Sequence, residues 1–355
     1  MTDLAHDIQS QILDLLPANR KKSSDWLSFN AVCCQHNGES RDKRGRGGVR
    51  PNTDGSLSYH CFNCGFKAGF YPGRPLGLRM RRLMRWLGAD DNTIQRLVLE
   101  AMRVRELMPH LVPTEPEPDL EINFKARPLP DDTASISEWT TAIRLAIDTD
   151  HKGYSTMEEL KSIAPPQWFR VLEYIKERNI DHKSYEFFIT DSAAYNLNRR
   201  VIIPFYWKGE LIGYTARAME ETIKPKYHSS YEPNYVFNMD RQPVDGKFAI
   251  VCEGPFDAMS VDGVAVLSNN ISDIQADILE TLNRELVVVP DWDQAGEELV
   301  ERAIEFGWTV SFPVWRENCK DVNEAVMKYG KLFAIKSILD GRETNPVKIR
   351  LRMKL

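Results

Sequence analysis

Apolar residues recur at three- and four-residue intervals through residues 75–107, a segment that is also rich in arginine. This spacing places the apolar side chains on one face of a helix, and Gly88 interrupts it, so the pattern predicts two short helices. The residues that follow are dense in proline and acid, which cannot continue a helix and have little to bury. We therefore predict an interdomain linker at 109–134.

From about Ser135 the pattern changes to helices followed by strands. Two strand-like runs meet at Lys208 and Gly209, which predicts a β-hairpin. Beyond Gly246, four apolar strand cores alternate with helical stretches. This alternation predicts a parallel sheet covered by helices.

The last residues, Val347–Leu355, alternate apolar and basic side chains with a period of two. Such a pattern predicts an extended strand with one apolar and one cationic face. Two interpretations stay open: a surface that binds nucleic acid or a replication partner, and an edge strand protected by positive charge.

With 355 residues, 42% hydrophobic and 27% charged, the chain is long enough for two or three domains and has an ordinary globular composition. No apolar run approaches membrane-spanning length, and the amino end is acidic and amphipathic rather than signal-like. These features predict a cytoplasmic protein that does not bind membranes. Four of the six cysteines lie between Cys33 and Cys64, which favours metal binding over disulfides.

The net charge of −5 is divided unevenly along the chain. Residues 1–110 contain 17 lysines and arginines against 11 acids, a net charge of +6 that leaves −11 for the remainder. A basic amino-terminal part can meet phosphates, and an acidic excess elsewhere is expected of cation-binding carboxylates.

Two short motifs predict a zinc site with four ligands. Cys33 and His36 form a C-x2-H pair, and Cys61 and Cys64 form a C-x2-C pair. Each two-residue spacer lets a tight turn direct both donors at one tetrahedral ion. Cys34 is an alternative to Cys33, although it would need a cramped C-x-H geometry. Two unrelated thiol pairs are the alternative to a metal site.

The basic, glycine-rich stretch between the two pairs can place cations on the phosphates of a nucleic-acid strand. Neighbouring aromatic residues offer a stacking surface for bases or, alternatively, form part of the core. The cations and aromatic residues concerned are Arg41, Lys43, Arg44, Arg46, Arg50, Tyr59, Phe62 and Phe66.

Acidic residues follow predicted strands in the last third of the chain. Glu253 follows one strand, Asp291 and Asp293 follow another, and Asp321 lies further along. In an open α/β sheet the carboxyl ends of strands face a common crevice, so these acids can converge there. Converging carboxylates repel one another unless divalent cations neutralise them, and magnesium prefers such oxygen ligands. For Asp257, capping the helix that it opens is a structural alternative.

The segments E-G-P-F-D, D-W-D and K-D-V-N resemble the three motifs of the TOPRIM fold, which bacterial-type primases share with topoisomerases and some nucleases. The zinc motif in front of them resembles the zinc-binding domain of the same primases. The order of zinc module, linker, RNA polymerase core and short basic tail most closely resembles the stand-alone primases of T-even-type bacteriophages. In K-D-V-N, Asn323 replaces an aspartate found in many members, which makes it at most an indirect contributor to metal binding.

The resemblance implies a DNA primase that makes short RNA primers on single-stranded DNA from ribonucleoside triphosphates. It implies one structural Zn²⁺ and two or more catalytic Mg²⁺, for which Mn²⁺ can substitute, with Glu253 beside the metal and the reacting hydroxyl and with Asp291, Asp293 and Asp321 holding the ions. It also implies a cationic ledge for triphosphate and template, for which ordinary surface charge is the alternative at each position: Arg199, Arg200, Arg217, Lys224, Lys226 and Lys320.

No G-x-x-x-x-G-K-[ST] motif is present, so we expect no fused helicase. The implied partners are a replicative helicase in trans and a single-stranded-DNA-binding protein. Two other functions stay open, a TOPRIM nuclease and a non-catalytic nucleic-acid-binding adaptor. The predicted architecture is a multidomain α+β and α/β chain, with a zinc-binding, zinc-ribbon-like domain and trailing helices at 1–108, the linker at 109–134, a mixed α/β subdomain of the polymerase core at 135–245, a TOPRIM subdomain at 246–340 and a basic tail at 341–355.

Overall fold

The computed structural model describes residues 3–23, 25–107, 122–141, 166–181, 183–291, 294–315 and 319–353. It divides into two compact units, Met1–Leu120 with Ala276–Glu285, and Glu121–Gln275 with Leu286–Leu355. No helix among these described segments has the length and apolarity needed to cross a membrane.

The first unit contains a five-stranded sheet in which every strand pairs antiparallel with the next along the chain. In its fourth strand Leu57, Tyr59 and Cys61 are buried and alternate with partly exposed residues, as expected for a sheet with one face on a core. The elements, in chain order, are α1 (Asp3–Asp14), β1 (Lys21–Ser23), β2 (Trp26–Phe29), β3 (Gly47–Pro51), β4 (Leu57–Cys61), β5 (Lys67–Phe70), α2 (Leu78–Trp86) and α3 (Asp91–Leu107).

Helices α2 and α3 confirm the two helices predicted from the apolar spacing. Buried Leu83 and Met84 face the core from α2, and the chain turns at Gly88, which has a positive φ of 101°. Glycine adopts this left-handed conformation without the steric penalty of a Cβ atom, which explains why the helical pattern is interrupted there.

The second unit begins with an antiparallel sheet in the order β10-β9-β8-β7-β6. The predicted hairpin is confirmed, because β8 and β9 pair through a two-residue turn at Lys208 and Gly209. Both turn residues have positive φ, 52° and 81°, as the tight turns that suit strand twist require. The elements are β6 (Thr133–Ser135), α4 (Pro166–Glu177), β7 (Phe188–Thr190), β8 (Arg200–Trp207), β9 (Glu210–Ala218) and β10 (Tyr227–Ser230).

A second sheet follows, in the order β12-β11-β13-β14-β15. The pairs β11–β12 and β13–β14 are parallel, which confirms the predicted parallel sheet, whereas β15 joins antiparallel at the edge. Its elements are β11 (Phe248–Cys252), α5 (Pro255–Ser260), β12 (Val264–Ala265), α6 (Asp273–Glu280), β13 (Glu285–Val288), α7 (Gln294–Phe306), β14 (Thr309–Ser311), α8 (Val322–Tyr329), α9 (Lys331–Asp340) and β15 (Arg342–Glu343).

One hydrophobic core joins the two sheets of the second unit. Phe205 of β8 and Val287 of β13 belong to the same cluster of buried residues, together with Phe237 from the connection between the sheets. The predicted border between subdomains at 245 and 246 falls within this one core and stays a prediction. The predicted multidomain α+β and α/β architecture is confirmed.

The carboxyl end of the predicted linker is part of the second unit. The Trp207 indole donates a hydrogen bond to the carbonyl of Ile122 at 3.1 Å, and Phe124 packs against the core. Residues 133–135 form β6. Of the predicted linker, residues 109–121 lie outside the described part of the chain.

The prediction of an extended carboxyl-terminal tail is wrong, because Pro346–Met353 forms a helix, α10. Asn345 caps it, since its side-chain oxygen accepts from the amides of Val347 and Lys348 at 3.0 and 3.2 Å. Ile349 is buried and Arg350 pairs with Glu301 at 2.8 Å, so tertiary contacts and the cap override the period-two pattern.

Candidate metal centre and candidate active site

Four cysteines gather in the first unit. The sulfur atoms of Cys33, Cys34, Cys61 and Cys64 all lie within 4.8 Å of one another. Cys33 caps a short 3₁₀ turn, Cys34–Asn37, while Cys61 ends β4 and Cys64 lies in the turn before β5. Among the described residues this is the sole group of metal-ligating side chains with so close a spacing.

Cys34 occupies the position that the sequence motif assigned to His36. The His36 ring does not join the thiols; it stacks on Trp86, with ring centroids 4.6 Å apart and planes 4° from parallel. The prediction of a Cys33, His36, Cys61, Cys64 ligand set is therefore corrected to four cysteines. The 3₁₀ turn lets two consecutive cysteines point to the same side, a geometry that the two-residue spacer rule does not anticipate.

Hydrogen-bond donors around the four sulfurs suit thiolates, the form in which cysteine binds a metal cation. The side-chain amides of Asn63 and Asn37 point at the sulfurs of Cys34 and Cys64, at 3.3 and 3.5 Å. Burial raises the pKa of the Cys33 thiol well above its usual range and that of Cys34 to about 11. Four clustered thiols, three of them buried, become thiolates together only beside a compensating positive charge, which a Zn²⁺ ion held by the four sulfurs would supply.

Three of the predicted acids line one cavity of about 480 Å³ in the second unit. Glu253 directly follows β11, Asp291 follows β13, and Asp321 precedes α8. Their convergence agrees with the rule that the carboxyl ends of parallel strands share a crevice. Asp293 lies outside the described residues.

Backbone contacts hold these acids in place. A Glu253 carboxylate oxygen accepts a hydrogen bond from the Asp291 amide at 3.2 Å, which ties the first acidic segment to the second. Asp321 is the N-cap of α8 and accepts from the amide of Glu324 at 2.8 Å. Asp257 does not cap α5, whose N-cap is Gly254 without a side-chain cap hydrogen bond.

Asp257 also lines this cavity, as do Glu221 and Glu324, and was not among the predicted catalytic residues. It lies in the first turn of α5, is 9% exposed, and accepts a hydrogen bond from the backbone amide of Asn323 at 2.9 Å. Burial, reinforced by the negative charges of Asp321 and Asp291, raises its pKa to about 7. A buried carboxyl group whose pKa is raised by neighbouring acids lies where a bound cation would relieve the repulsion between the carboxylates.

Asn323 connects the acids to the preceding subdomain and is 1% exposed. Its side-chain oxygen accepts from Arg178 at 2.8 Å, and its amide nitrogen donates to the Arg178 carbonyl and to the Ser260 hydroxyl. Asn323 is among the residues that line the cavity, and these bonds direct its side-chain oxygen and nitrogen to Arg178 and Ser260.

The predicted cations separate into two groups. Arg217, Lys226 and Lys320 line the cavity. Arg199 instead pairs with Glu220, and Arg200 is buried and donates to four backbone carbonyls, so both stabilise the fold. Lys224 is not among the residues that line the cavity.

The cavity contains a further cation, Arg178, that the sequence did not single out. Its guanidinium lies over the rings of Tyr174 and Phe256, 4.8 and 4.9 Å from their centroids. In the sequence it is one of several charged residues at the end of a helix, and no local signal separates it from solvated neighbours.

Comparison with known proteins places the acids in a recognised domain. The Toprim-like family model matches residues 250–326. The matched segment contains all the predicted acids and also Asp257, Lys320 and Asn323.

A DNA primase of Aquifex aeolicus (strain VF5) is 26% identical over 152 residues, which is 38% of this chain and 30% of that protein. The chain thus covers less than a third of the relative's length. The predicted resemblance of this chain to bacterial-type TOPRIM primases is confirmed, whereas its closer resemblance to T-even-type phage primases stays a prediction.

Solved structures similar to this chain include the zinc-binding and RNA polymerase domains of the Aquifex aeolicus primase, at 18% identity and a TM-score of 0.42 over 96% of this chain and 86% of that one. The RNA polymerase domain of the Mycobacterium tuberculosis primase has 18% identity and a TM-score of 0.46 over 61% and 86%. The primase fragment of the bacteriophage T7 primase-helicase has 18% identity and a TM-score of 0.34 over 48% and 69%. Similarity at this level does not identify a function for the Toprim-like domain.

Proposed function

We propose that this protein is a DNA primase, which synthesises short RNA primers on single-stranded DNA from ribonucleoside triphosphates. The observation that carries the proposal is the meeting of Glu253, Asp291 and Asp321 with cations in one cavity, which residues of the Toprim-like segment 250–326 and of the preceding sheet line together. A cavity lined by both acids and cations suits a metal-bound triphosphate, because the acids can hold the metal and the cations can neutralise the phosphates.

The cations of the cavity supply the triphosphate contacts. The Arg217 guanidinium lies over the Tyr227 ring, 4.7 Å from its centroid, which fixes its direction. Burial, followed by the charge of Arg217, lowers the pKa of Lys226. Two cations that repel each other in a partly desolvated cavity gain most from a polyanionic ligand, so we assign them to phosphate binding.

Acids of the cavity supply the metal ligands: Glu253, Asp257, Asp291 and Asp321, with Asp293 as a predicted fifth. Two bound Mg²⁺, or Mn²⁺ in their place, would polarise the attacking 3′-hydroxyl and balance charge on the departing pyrophosphate. The protein's own contribution is to hold the carboxylates apart at strand ends and to orient the triphosphate with Arg217, Lys226 and Lys320.

The remaining roles follow from the two units. We assign the four cysteines to one structural Zn²⁺. We assign the basic, glycine-rich stretch between Cys34 and Cys61 to template binding. We further propose that the primase acts in the cytoplasm with a separate replicative helicase and a single-stranded-DNA-binding protein.

The test is incorporation of labelled ribonucleotides on single-stranded DNA, with and without Mg²⁺. Asp291→Asn keeps the side-chain shape but removes a metal-binding charge, so we expect product to fall at least about 100-fold. Asp340→Asn is the matched control, since Asp340 is an exposed acid that pairs with Lys336 away from the cavity. Unchanged synthesis in Asp291→Asn would contradict the proposal.

The same assay separates the two alternatives. A TOPRIM nuclease would degrade the DNA without added nucleotides, and an adaptor would bind DNA but bind no Mg²⁺ in a calorimetric titration. The acids and cations that share the cavity favour an enzyme over the adaptor, and the assay decides between primase and nuclease.

A further inference from the structure

The basic loop of the first unit, residues 38–46, contains no apolar side chain. Its sequence is Gly-Glu-Ser-Arg-Asp-Lys-Arg-Gly-Arg, with four cations in six residues. A loop of this composition cannot order itself by burying hydrophobic surface, and its cations repel one another. Any fixed shape must therefore come from hydrogen bonds.

Asp42 supplies those bonds. It is 1% exposed, whereas its neighbours Arg41, Lys43 and Arg44 are exposed. Its two carboxylate oxygens accept from the amides of Ala31 at 2.9 Å, Arg44 at 2.9 Å and Arg46 at 2.7 Å, and from the Arg46 side chain at 3.0 Å. These donors hold the pKa of the carboxyl at about 2, so it is charged throughout the physiological range.

The anchored loop is also tied to the cysteine cluster. The Arg46 guanidinium donates to the side-chain oxygen of Asn63, whose amide nitrogen points at the Cys34 sulfur at 3.3 Å. The Arg46 carbonyl accepts from the Phe62 amide at 2.9 Å. The end of the loop is thus fixed to the turn that carries Cys61 and Cys64.

Arg41, Lys43 and Arg44 are left facing solvent. None of the three forms an ion pair or a side-chain hydrogen bond with any residue that the structure describes. Three unpaired cations on a fixed loop resemble a prepared phosphate-binding surface, because ordering them before binding lowers the entropy lost on binding.

We propose that Asp42 is a positioning residue for template binding: its buried carboxylate holds the loop so that Arg41, Lys43 and Arg44 contact the phosphates of single-stranded DNA. The inference rests on the proposed template role of the first unit. It makes an acid necessary for binding an anion, which simple charge counting would not predict.

The test is fluorescence anisotropy of a labelled single-stranded oligodeoxynucleotide titrated with the full-length, zinc-loaded protein over a range of salt concentrations. Asp42→Asn removes one negative charge, so a general electrostatic effect would strengthen binding to the anionic DNA. We expect it to weaken binding about 3- to 10-fold, since misplaced cations lose one or two phosphate contacts, and to flatten the salt dependence.

A double-mutant cycle separates positioning from general damage. In protein that already carries Arg41→Ala, Lys43→Ala and Arg44→Ala, the effect of Asp42→Asn should vanish, because the cations that it positions are gone. The same fold loss in that background, or unchanged or tighter binding by the single variant, would overturn the proposal.

Asn30→Ala provides a second variant that changes no charge. The Asn30 side-chain oxygen accepts from the Gly45 amide at 2.9 Å, so its removal loosens the loop while Asp42 and all cations remain. We expect a smaller loss of affinity with full zinc content, measured by a chelator dye. If Asp42→Asn fails to fold, unchanged binding by Asn30→Ala would overturn the proposal.

DNA binding is measured without nucleotides, so the outcome is independent of catalysis. A protein that binds DNA through the loop but makes no primer would contradict the proposed function and keep this inference. A protein that makes primers yet binds DNA equally well after Asp42→Asn would do the reverse.

Discussion

The cysteine cluster and the acidic cavity are both suited to metal, but they differ in spacing, burial and access. The four sulfurs lie within 4.8 Å of one another, three of the cysteines are fully buried, and amide groups surround them. The acids instead line a cavity of about 480 Å³ shared with cations, and backbone contacts hold them after two strands and at the start of helix α8.

The difference distinguishes a metal that completes a fold from metals that meet a substrate. A closed set of four protein ligands leaves no position for substrate, whereas spread carboxylates leave room for waters and phosphate oxygens. The first unit should therefore depend on metal for stability, and the second should depend on metal only for activity.

The largest expected effect is loss of the zinc-bound first unit in Cys34→Ser. A structural zinc site contributes on the order of 10 kcal/mol to folding, so its loss should unfold this unit. His36→Ala should retain the metal, because the ring stacks on Trp86 and is not with the thiols. Zinc content and circular dichroism measure both, with Cys319→Ser as a control. Release of zinc by His36→Ala alone would restore the ligand set predicted from the motif.

The next largest effect concerns Asp42, whose buried carboxylate should stabilise the first unit. The pKa of Asp42 is lowered from 3.8 to about 2 in the folded protein, which corresponds to about 2 kcal/mol of stability. For a lowered carboxyl pKa this contribution is fully present above pH about 4 and is lost as pH falls toward about 2. Asp42→Ala should therefore lower the free energy of unfolding in urea by a constant amount from about pH 5 to 8. A difference that grows or disappears within this range would contradict the assigned cause.

In the acidic cavity, metal binding should be linked to protons. The pKa of Asp257 is raised from 3.8 to about 7, so below this pH a cation must displace a proton. The apparent Mg²⁺ affinity should therefore fall by up to about tenfold per pH unit below 7, and Asp257→Asn should remove this dependence. Calorimetric titration with Mg²⁺ at several pH values measures it. An equal pH dependence in the variant would assign the proton to another group.

The smallest effects are expected at the polar surface of the second unit. Asn345→Ala removes the cap of α10 and should cost about 1 kcal/mol, whereas Arg350→Ala breaks an exposed ion pair and should cost less. Thermal unfolding of both variants gives the order. A larger loss from Arg350→Ala would mean that charge pairing, rather than capping, fixes the helix.

Local and topological rules predicted most of the fold. The apolar spacing predicted α2 and α3, and the turn residues Lys208 and Gly209 predicted the hairpin. The strand-end rule brought Glu253, Asp291 and Asp321 to one cavity, because parallel sheet topology makes distant positions coincide. The rule does not predict which other residues join these acids. Asp257 has a raised pKa only because the fold buries it beside Asp321 and Asp291.

The predictions that differ from the structure do so because of tertiary contacts or because of a helix-start signal in the sequence. His36 fitted a spacing rule, but the 3₁₀ turn brought Cys34 to the sulfurs and Trp86 offered the ring a partner. The tail satisfied a period-two pattern, yet Asn345 followed by proline is a start signal for a helix. Arg199 and Arg200 had the charge expected of a ligand-binding ledge, but one pairs with Glu220 and the other is buried.

The hydrophobic core that runs through both sheets of the second unit limits how this part of the chain can be divided. A fragment beginning near residue 246 would expose the faces of Ile250, Cys252 and Val287 that Phe205 and its neighbours cover. Such a fragment should aggregate rather than fold. The Toprim-like domain of this protein is therefore not a transplantable module, and an excision meant to study its chemistry in isolation must carry the preceding antiparallel sheet with it.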